Sequence, residues 1–131
     1  MSVTPQQMRA FVERQQARRR AERAQLHACA AADAGRIVAM IAARYRPRRI
    51  LHWGSILDPG RFQPYSDIDV AVEGLTDPER FFAMLHDAEK LTQWPLDIVQ
   101  LEHVEPEYRL LILEKGKVVY ERDTAVETPA Q

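Results

Sequence analysis

One cysteine, Cys29, is all that 131 residues provide, so no internal disulfide is available and packing alone must hold the core. Neither sign of charge prevails. The 18 Lys and Arg stand against 19 Asp and Glu, a formal net charge of -1 that gives no global pull toward nucleic acid or an anionic membrane. No uninterrupted apolar run approaches the ~20 residues that cross a bilayer, and Met1-Ser2-Val3-Thr4-Pro5 lacks the charged-then-apolar order of a secretory signal. The expectation is a soluble, cytoplasmic protein with no membrane partner. The length suits one core and is short for two ordinary domains, and no internal repeat is visible.

What is present alternates between helical and strand patterns. Thr4, Pro5 and Gln7 form a helix start, with Thr4 as cap, proline in the first turn and glutamine at the capping-box position. The helical tract they open has two characters. From Gln6 to Gln25 it is rich in Gln, Arg, Glu and Ala, with little to bury beyond Met8, Phe11 and Val12. From Ala28 to Tyr45 it carries Ile37, Val38, Ile41 and Tyr45 at helical spacing and stops before Pro47. Residues 48–53 read as a strand, and Gly54-Ser55 as a sharp turn into a short helical segment. Thr76-Asp77-Pro78-Glu79 starts a second helix with Phe81, Leu85, Ala88 and Leu91 as its buried stripe. Pro95 opens another strand. Pro106 opens a helix that ends at Gly116, with Tyr108, Leu111 and Ile112 pointing inward, and Lys117-Val118-Val119-Tyr120 reads as a last strand. The order α, β, α, β, α, β, α, β predicts an α/β (α+β) fold with a mixed sheet.

The chemistry concentrates in the run from Gly54-Ser55 to Asp67-Ile68-Asp69-Val70-Ala71-Val72, with eleven residues between Ser55 and Asp67. Side chains alternate along a strand, so Asp67, Asp69 and Ala71 face one side and Ile68, Val70 and Val72 the other. Carboxylates two residues apart have Cα atoms about 6.5–7 Å apart. Ionised groups in an apolar strand are costly unless a partner offsets them, and hard oxygen ligands suit Mg²⁺. A third acid, Asp97, lies in the apolar run Leu96-Asp97-Ile98-Val99. If its strand pairs beside the first in register, Asp97 completes the site.

Gly-Ser, Asp-x-Asp and a later strand aspartate resemble the nucleotidyltransferase superfamily that shares the catalytic fold of DNA polymerase beta. More narrowly, they look like the minimal nucleotidyltransferases (MNT), MntA-like proteins of which several are antitoxins encoded beside HEPN-domain toxins. The resemblance covers residues 36–121, with a helical extension at 1–35 and a tail at 122–131 expected to be disordered. It implies a polymerase beta-like nucleotidyltransferase fold of about four strands flanked by helices, with a long N-terminal helical extension. It also implies an enzyme that transfers AMP from ATP to a hydroxyl, with a tyrosine of a cognate HEPN toxin as acceptor. Two Mg²⁺ ions about 3.5–4 Å apart would serve the in-line displacement, bridged by Asp67 and Asp69, with Asp97 on the ion nearest the acceptor. Gly54 would let the backbone approach the phosphates, and Ser55 would hydrogen-bond the triphosphate. The loop before Asp67 is one residue longer than is usual in that family, and Trp53 stands where Phe is common.

Two other functions remain open from the sequence. One is a module of this fold that neutralises a toxin by contact without catalysis, and the other a transferase that passes a nucleotide to a small molecule. Elsewhere the plainer readings are preferred. Asp97 alone would be a solvated strand residue and Gly-Ser an ordinary turn. His52, His86 and His103 have no ligand spacing, and Cys29 is expected to be a small buried residue. Ser66, on the opposite strand face from the acids, is given a structural role. The cluster of Arg18, Arg19 and Arg20 with Arg9, Arg14 and Arg23 reads as a solvated helix face or a protein contact in preference to a nucleic-acid grip. Lys115 and Lys117 near the last strand could reach a phosphate, but the solvated turn lysine is the preferred reading. Nucleobase preference and homo-oligomerisation are not legible.

Overall fold

The computed structural model describes residues 2–123. Helix α1 runs Pro5–Tyr45 without a break, about 60 Å long at the usual rise. Its start follows from the sequence: the Thr4 side chain accepts from the Gln7 backbone N–H at 3.1 Å, and the Gln7 side chain accepts from the Thr4 N–H at 2.9 Å. Both halves of the capping box are made. The helix closes at Arg46, whose φ of 47° turns the chain toward Pro47.

Four strands follow in one sheet: β1 (Arg49–Trp53), β2 (Ile68–Glu73), β3 (Leu96–Gln100) and β4 (Lys117–Glu121). Their spatial order is β3-β2-β1-β4. β1 is antiparallel to both β2 and β4, while β2 and β3 run parallel, joined by the crossover helix α2 (Pro78–Glu89). Asp77 caps α2, and its buried residues are Phe81, Met84 and Ala88. Met84 takes an inner position that Leu85 and Leu91 share only in part. Helix α3 (Pro106–Lys115) joins β3 to β4.

Alternation along β2 divides the core. Ile68, Val70 and Val72 meet Ile37 and Ile41 of α1 and Met84 of α2 on one face. Ala71 meets Leu51, Leu101 and Ile112 on the other. The arrangement corrects four expectations. On α3 only Ile112 is buried, and Tyr108 and Leu111 stay exposed, because the small second cluster has room for one large side chain from that helix. Cys29 is exposed, although its neighbour Ala30 is buried, since it lies off the inner stripe of α1. Arg122, assigned to the tail, donates its backbone N–H to Arg48 at 2.9 Å and its guanidinium to the Arg46 carbonyl at 3.0 Å, while residues 124–131 of that tail lie outside the described residues.

The fourth concerns hydropathy. An 18-residue window of α1 reaches a mean hydropathy of 1.3, long and apolar enough by composition to cross a membrane. Its alanines and Leu26, Ile37, Val38, Met40 and Ile41 together supply that average. In the fold, this part of α1 lays Ala30, Ala34, Ile37 and Ile41 on the sheet, and its Asp33 is ion-paired with Arg36 and bonded to Thr92 at 2.6 Å. One face of this part of α1 is buried against the sheet. The preceding arm, with Met8, Phe11 and Val12, remains exposed.

The loop from Asp58 to Asp67 is anchored by a side chain that the strand and helix patterns did not reveal. Phe62 is fully buried, edge-on to His27 at 5.6 Å and to Trp94 at 5.1 Å between ring centroids. His27 in turn donates to the Ile56 carbonyl at 2.6 Å. Ser66 has the structural role expected of it, accepting from the Gln63 N–H at 2.9 Å. Phe62→Ala should lower unfolding free energy by about 3–5 kcal/mol in urea titration. An unchanged midpoint would mean that the loop is not tied to the core.

Candidate active site

The acids meet at one end of the sheet. In the parallel pairing of β2 with β3, Asp69 stands opposite Asp97, and on its other side Asp69 stands opposite Trp53 of β1. Asp67 comes immediately before β2. Alternation puts Asp69 and Asp97 on the same face as Ala71 and Val99, the face that α3 covers only in part. The register expected for Asp97 is therefore the observed one.

Burial differs among the three. Asp69 is half-buried, whereas Asp67 and Asp97 are exposed, so the expectation of three acids enclosed by apolar strands holds for one. The outer two gain exposure because β2 and β3 begin there and no helix covers their starts. Burial pushes the Asp69 carboxyl up to about 7, and the charges of Asp97 and then Asp67 push in the same direction. Among the described residues no Lys or Arg is ion-paired with any of these carboxylates. Nor do the described residues contain a converged cluster of three or more His, Cys, Asp or Glu side chains able to hold a metal. Like charges without a counter-ion keep apart, and the donor chemistry of the set, all carboxylate oxygen, fits a hard divalent cation. Asp67, Asp69 and Asp97 are the residues that would hold it. Such a cation supplies charge neutralisation to attacking and leaving oxygens.

Gly54 brings backbone against this centre. It leaves β1 with φ at 78°, a left-handed conformation that favours glycine, and a Cβ there would lie 2.5 Å from Oδ2 of Asp69. Ser55 follows in a short 3₁₀ helix, Gly54–Leu57, whose Ile56 is buried in the main core. The Gly-Ser turn and the carboxylates are thus neighbours despite the eleven intervening residues. Trp53 walls the same end, edge-on to Tyr108 at 5.3 Å. His52 is half-buried with its ring 3.4 Å from the Asp69 carbonyl oxygen, and burial holds it below the usual imidazole range.

A family model described as "Polymerase beta, Nucleotidyltransferase" matches residues 36–125. The chain belongs to that nucleotidyltransferase family. A search of curated proteins finds no significant match. Among solved structures, one described as a toxin-antitoxin with AMP-PNP is similar at a TM-score of 0.55 and 19% identity, over 70% of this chain and 77% of the other. A mutant MntA–HpeT toxin-antitoxin is similar at 0.56 and 16% identity, over 71% and 76%. At such identities these two likenesses concern the fold.

In this nucleotidyltransferase domain, two cations border the Gly-Ser turn. Arg61 and Lys115 line a cavity of about 340 Å³ together with Gly54, Ser55, Leu57 and Asp58. Lys115, set aside in the sequence as a solvated turn lysine, borders the Gly-Ser turn because α3 ends against β1.

The raised Asp69 pKa has a sign that can be measured. The folded chain keeps this proton up to about 7, whereas the unfolded chain releases it near the ordinary 3.8, so metal-free stability falls as pH rises through that window. Asp69→Asn should raise the melting temperature at pH 8 by roughly 2–4 °C, with the gain vanishing near pH 4. Mg²⁺ should stabilise the wild type and leave Asp69→Asn nearly unmoved. Equal stabilisation of both by Mg²⁺ in thermal melts would exclude Asp69 as a ligand.

Proposed function

We propose that this chain is an antitoxin enzyme that transfers AMP from ATP to a protein hydroxyl, a tyrosine of a cognate HEPN toxin, in the cytoplasm. The observation that carries the reading is Asp69 beside Asp97, with the Gly54 backbone pressed against the Asp69 carboxylate. In the reaction, the acceptor oxygen attacks the α-phosphorus of ATP, the bond from that phosphorus to the bridging oxygen breaks, and pyrophosphate leaves. Asp97, exposed at the sheet end, is the carboxylate an incoming hydroxyl can reach and the acceptor of its proton. Asp69 and Asp67 lie on the phosphate side, Asp69 beside the Gly-Ser turn that receives the triphosphate. Two Mg²⁺ ions are the cofactor of this reading.

Support for an adenine nucleotide comes from the relative described with AMP-PNP, and support for a toxin partner from the description of both relatives as toxin-antitoxin structures. The mutant relative has two Asp-to-Glu replacements at positions two apart, the spacing of Asp67 and Asp69. A bulky acceptor also suits a sheet end where two of the three carboxylates are exposed.

The test uses radiolabelled ATP, Mg²⁺ and the protein encoded by the neighbouring reading frame. Label should appear on the partner's tyrosine, and the double variant Asp67→Asn with Asp69→Asn should lose at least about 100-fold of the rate. Undiminished labelling by the double variant would remove the carboxylates from the mechanism. Full protection of cells from the toxin by that variant would favour antitoxin action by contact alone.

A further inference from the structure

The first half of α1 is secured as a helix and then left uncovered. The family match begins at residue 36, so the arm from Pro5 to Leu26 lies outside it. Its start is fixed by the Thr4 and Gln7 capping box, yet Val3, Met8, Phe11 and Val12 are 64, 59, 54 and 46% exposed. Met8 stands five helical turns before Leu26, and Val12 five turns before Ala30. Both therefore fall on the side of α1 that packs Leu26 and Ala30 against the core. The apolar row buried from Leu26 onward continues along the arm for about 27 Å, and among the described residues nothing lies over it. A helix of that length without tertiary packing is marginal in water, so a covering partner would add directly to its stability.

Where the arm leaves the domain matters. His27 is bonded to the Ile56 carbonyl at 2.6 Å and stands edge-on to Phe62, and Ile56 lies two residues after Gly54, which presses on Asp69. The arm therefore departs at the end of the sheet that carries the acids. Its apolar side is the domain's side, so arm and sheet end form a corner with Asp97 exposed beside it. The arm is also the basic part of the molecule. It holds six arginines and two glutamates, a formal +4 in a chain of -1, which leaves -5 for the rest. Among the described residues none of those arginines is ion-paired. A second arm laid against this one would bring like charge to like charge, and a nucleic acid would use the arginines but not the row of Met8, Phe11 and Val12. An acidic protein surface with an apolar strip satisfies both features.

We infer that the arm docks the protein acceptor: Met8, Phe11 and Val12 enter an apolar groove on that protein, and the arm's arginines pair with Asp and Glu on the groove's rim. This inference rests on the protein-acceptor reading and names the surface that brings the acceptor to the site. Grip and chemistry are then carried by different parts of the chain. Binding energy gained on the arm holds the acceptor hydroxyl near the carboxylates without using any of them.

Isothermal titration of the full chain with the protein encoded by the neighbouring reading frame, run beside the labelling assay, provides the test. Phe11→Ala with Val12→Ala should weaken association about 30-fold and raise KM for the acceptor with kcat within about twofold. Arg18→Glu with Arg19→Glu should weaken it about tenfold at low salt, by a smaller factor as salt rises. Asp67→Asn with Asp69→Asn should lose the label and keep the association. All four arm positions are exposed, so unchanged melting curves will show that the arm variants fold. Equal binding of the partner by wild type and both arm variants overturns the inference and leaves the transferase reading standing. A wild-type chain that binds no partner overturns both. A fluorescent single-stranded RNA that binds wild type and not the arginine variant, with partner binding unchanged, overturns the inference in favour of nucleic acid. A dimer in sedimentation equilibrium that Phe11→Ala with Val12→Ala dissociates, again with partner binding unchanged, overturns it in favour of a second copy.

Discussion

Asp69 and Asp97 stand opposite each other on adjacent parallel strands, and the rest of the molecule is organised around keeping them there. Nothing in the electrostatics favours that pairing without a cation, since the two charges raise each other's cost and the half-burial of Asp69 adds to it. The register is held from the opposite face. Ile68, Val70 and Val72 are fully buried against α1 and α2, so a one-residue slip of β2 would turn them to the α3 side and send Asp69 into the main core. The alternation that builds the core therefore fixes the acids at the uncovered end of the sheet. Apolar packing on one face stabilises an unfavourable charge arrangement on the other.

That coupling explains why so much was legible beforehand. Local signals identified the elements because each is stated in adjacent residues: the Thr4 and Gln7 capping box, the proline starts of α2 and α3, and the strand alternation that assigns Asp69 and Val70 to opposite faces. The Asp69 and Asp97 register was the condition on which Asp97 joined the site, and the pairing of β2 with β3 meets it. What escaped depends on contacts between distant residues. Phe62 sits in a loop with no periodicity, and only the meeting of His27 and Trp94 around it makes it a core residue. Tyr108 and Leu111 had the spacing of an inward stripe, yet the second core cluster is too small to receive them. Arg61 belongs to the same class, since its place beside the Gly-Ser turn depends on how a loop packs near β1.

The three acids also differ in what they contribute. Asp69 is bound to its place by strands on both sides, so its position is rigid and its charge is the most strained. Asp67 lies outside the ladder, and Asp97 sits on the edge strand β3, both exposed. A cation drawn by Asp69 would find one fixed ligand and two adjustable ones. That division suits a site whose ligand shell must include substrate oxygens, because the outer carboxylates can adapt as the nucleotide enters.

Gly54 is where the two halves of the site are made compatible. A side chain there would occupy the space of the Asp69 carboxylate, and its left-handed backbone also turns the chain into the segment that borders the Arg61 and Lys115 cavity. Among the described residues neither cation pairs with Asp67, Asp69 or Asp97, and Arg61 is engaged by Asp58 instead. A collapsed ion pair between the two groups would leave no charge for a nucleotide to bind. Their separation leaves both kinds of charge available at the end of the sheet where Gly54 stands against Asp69.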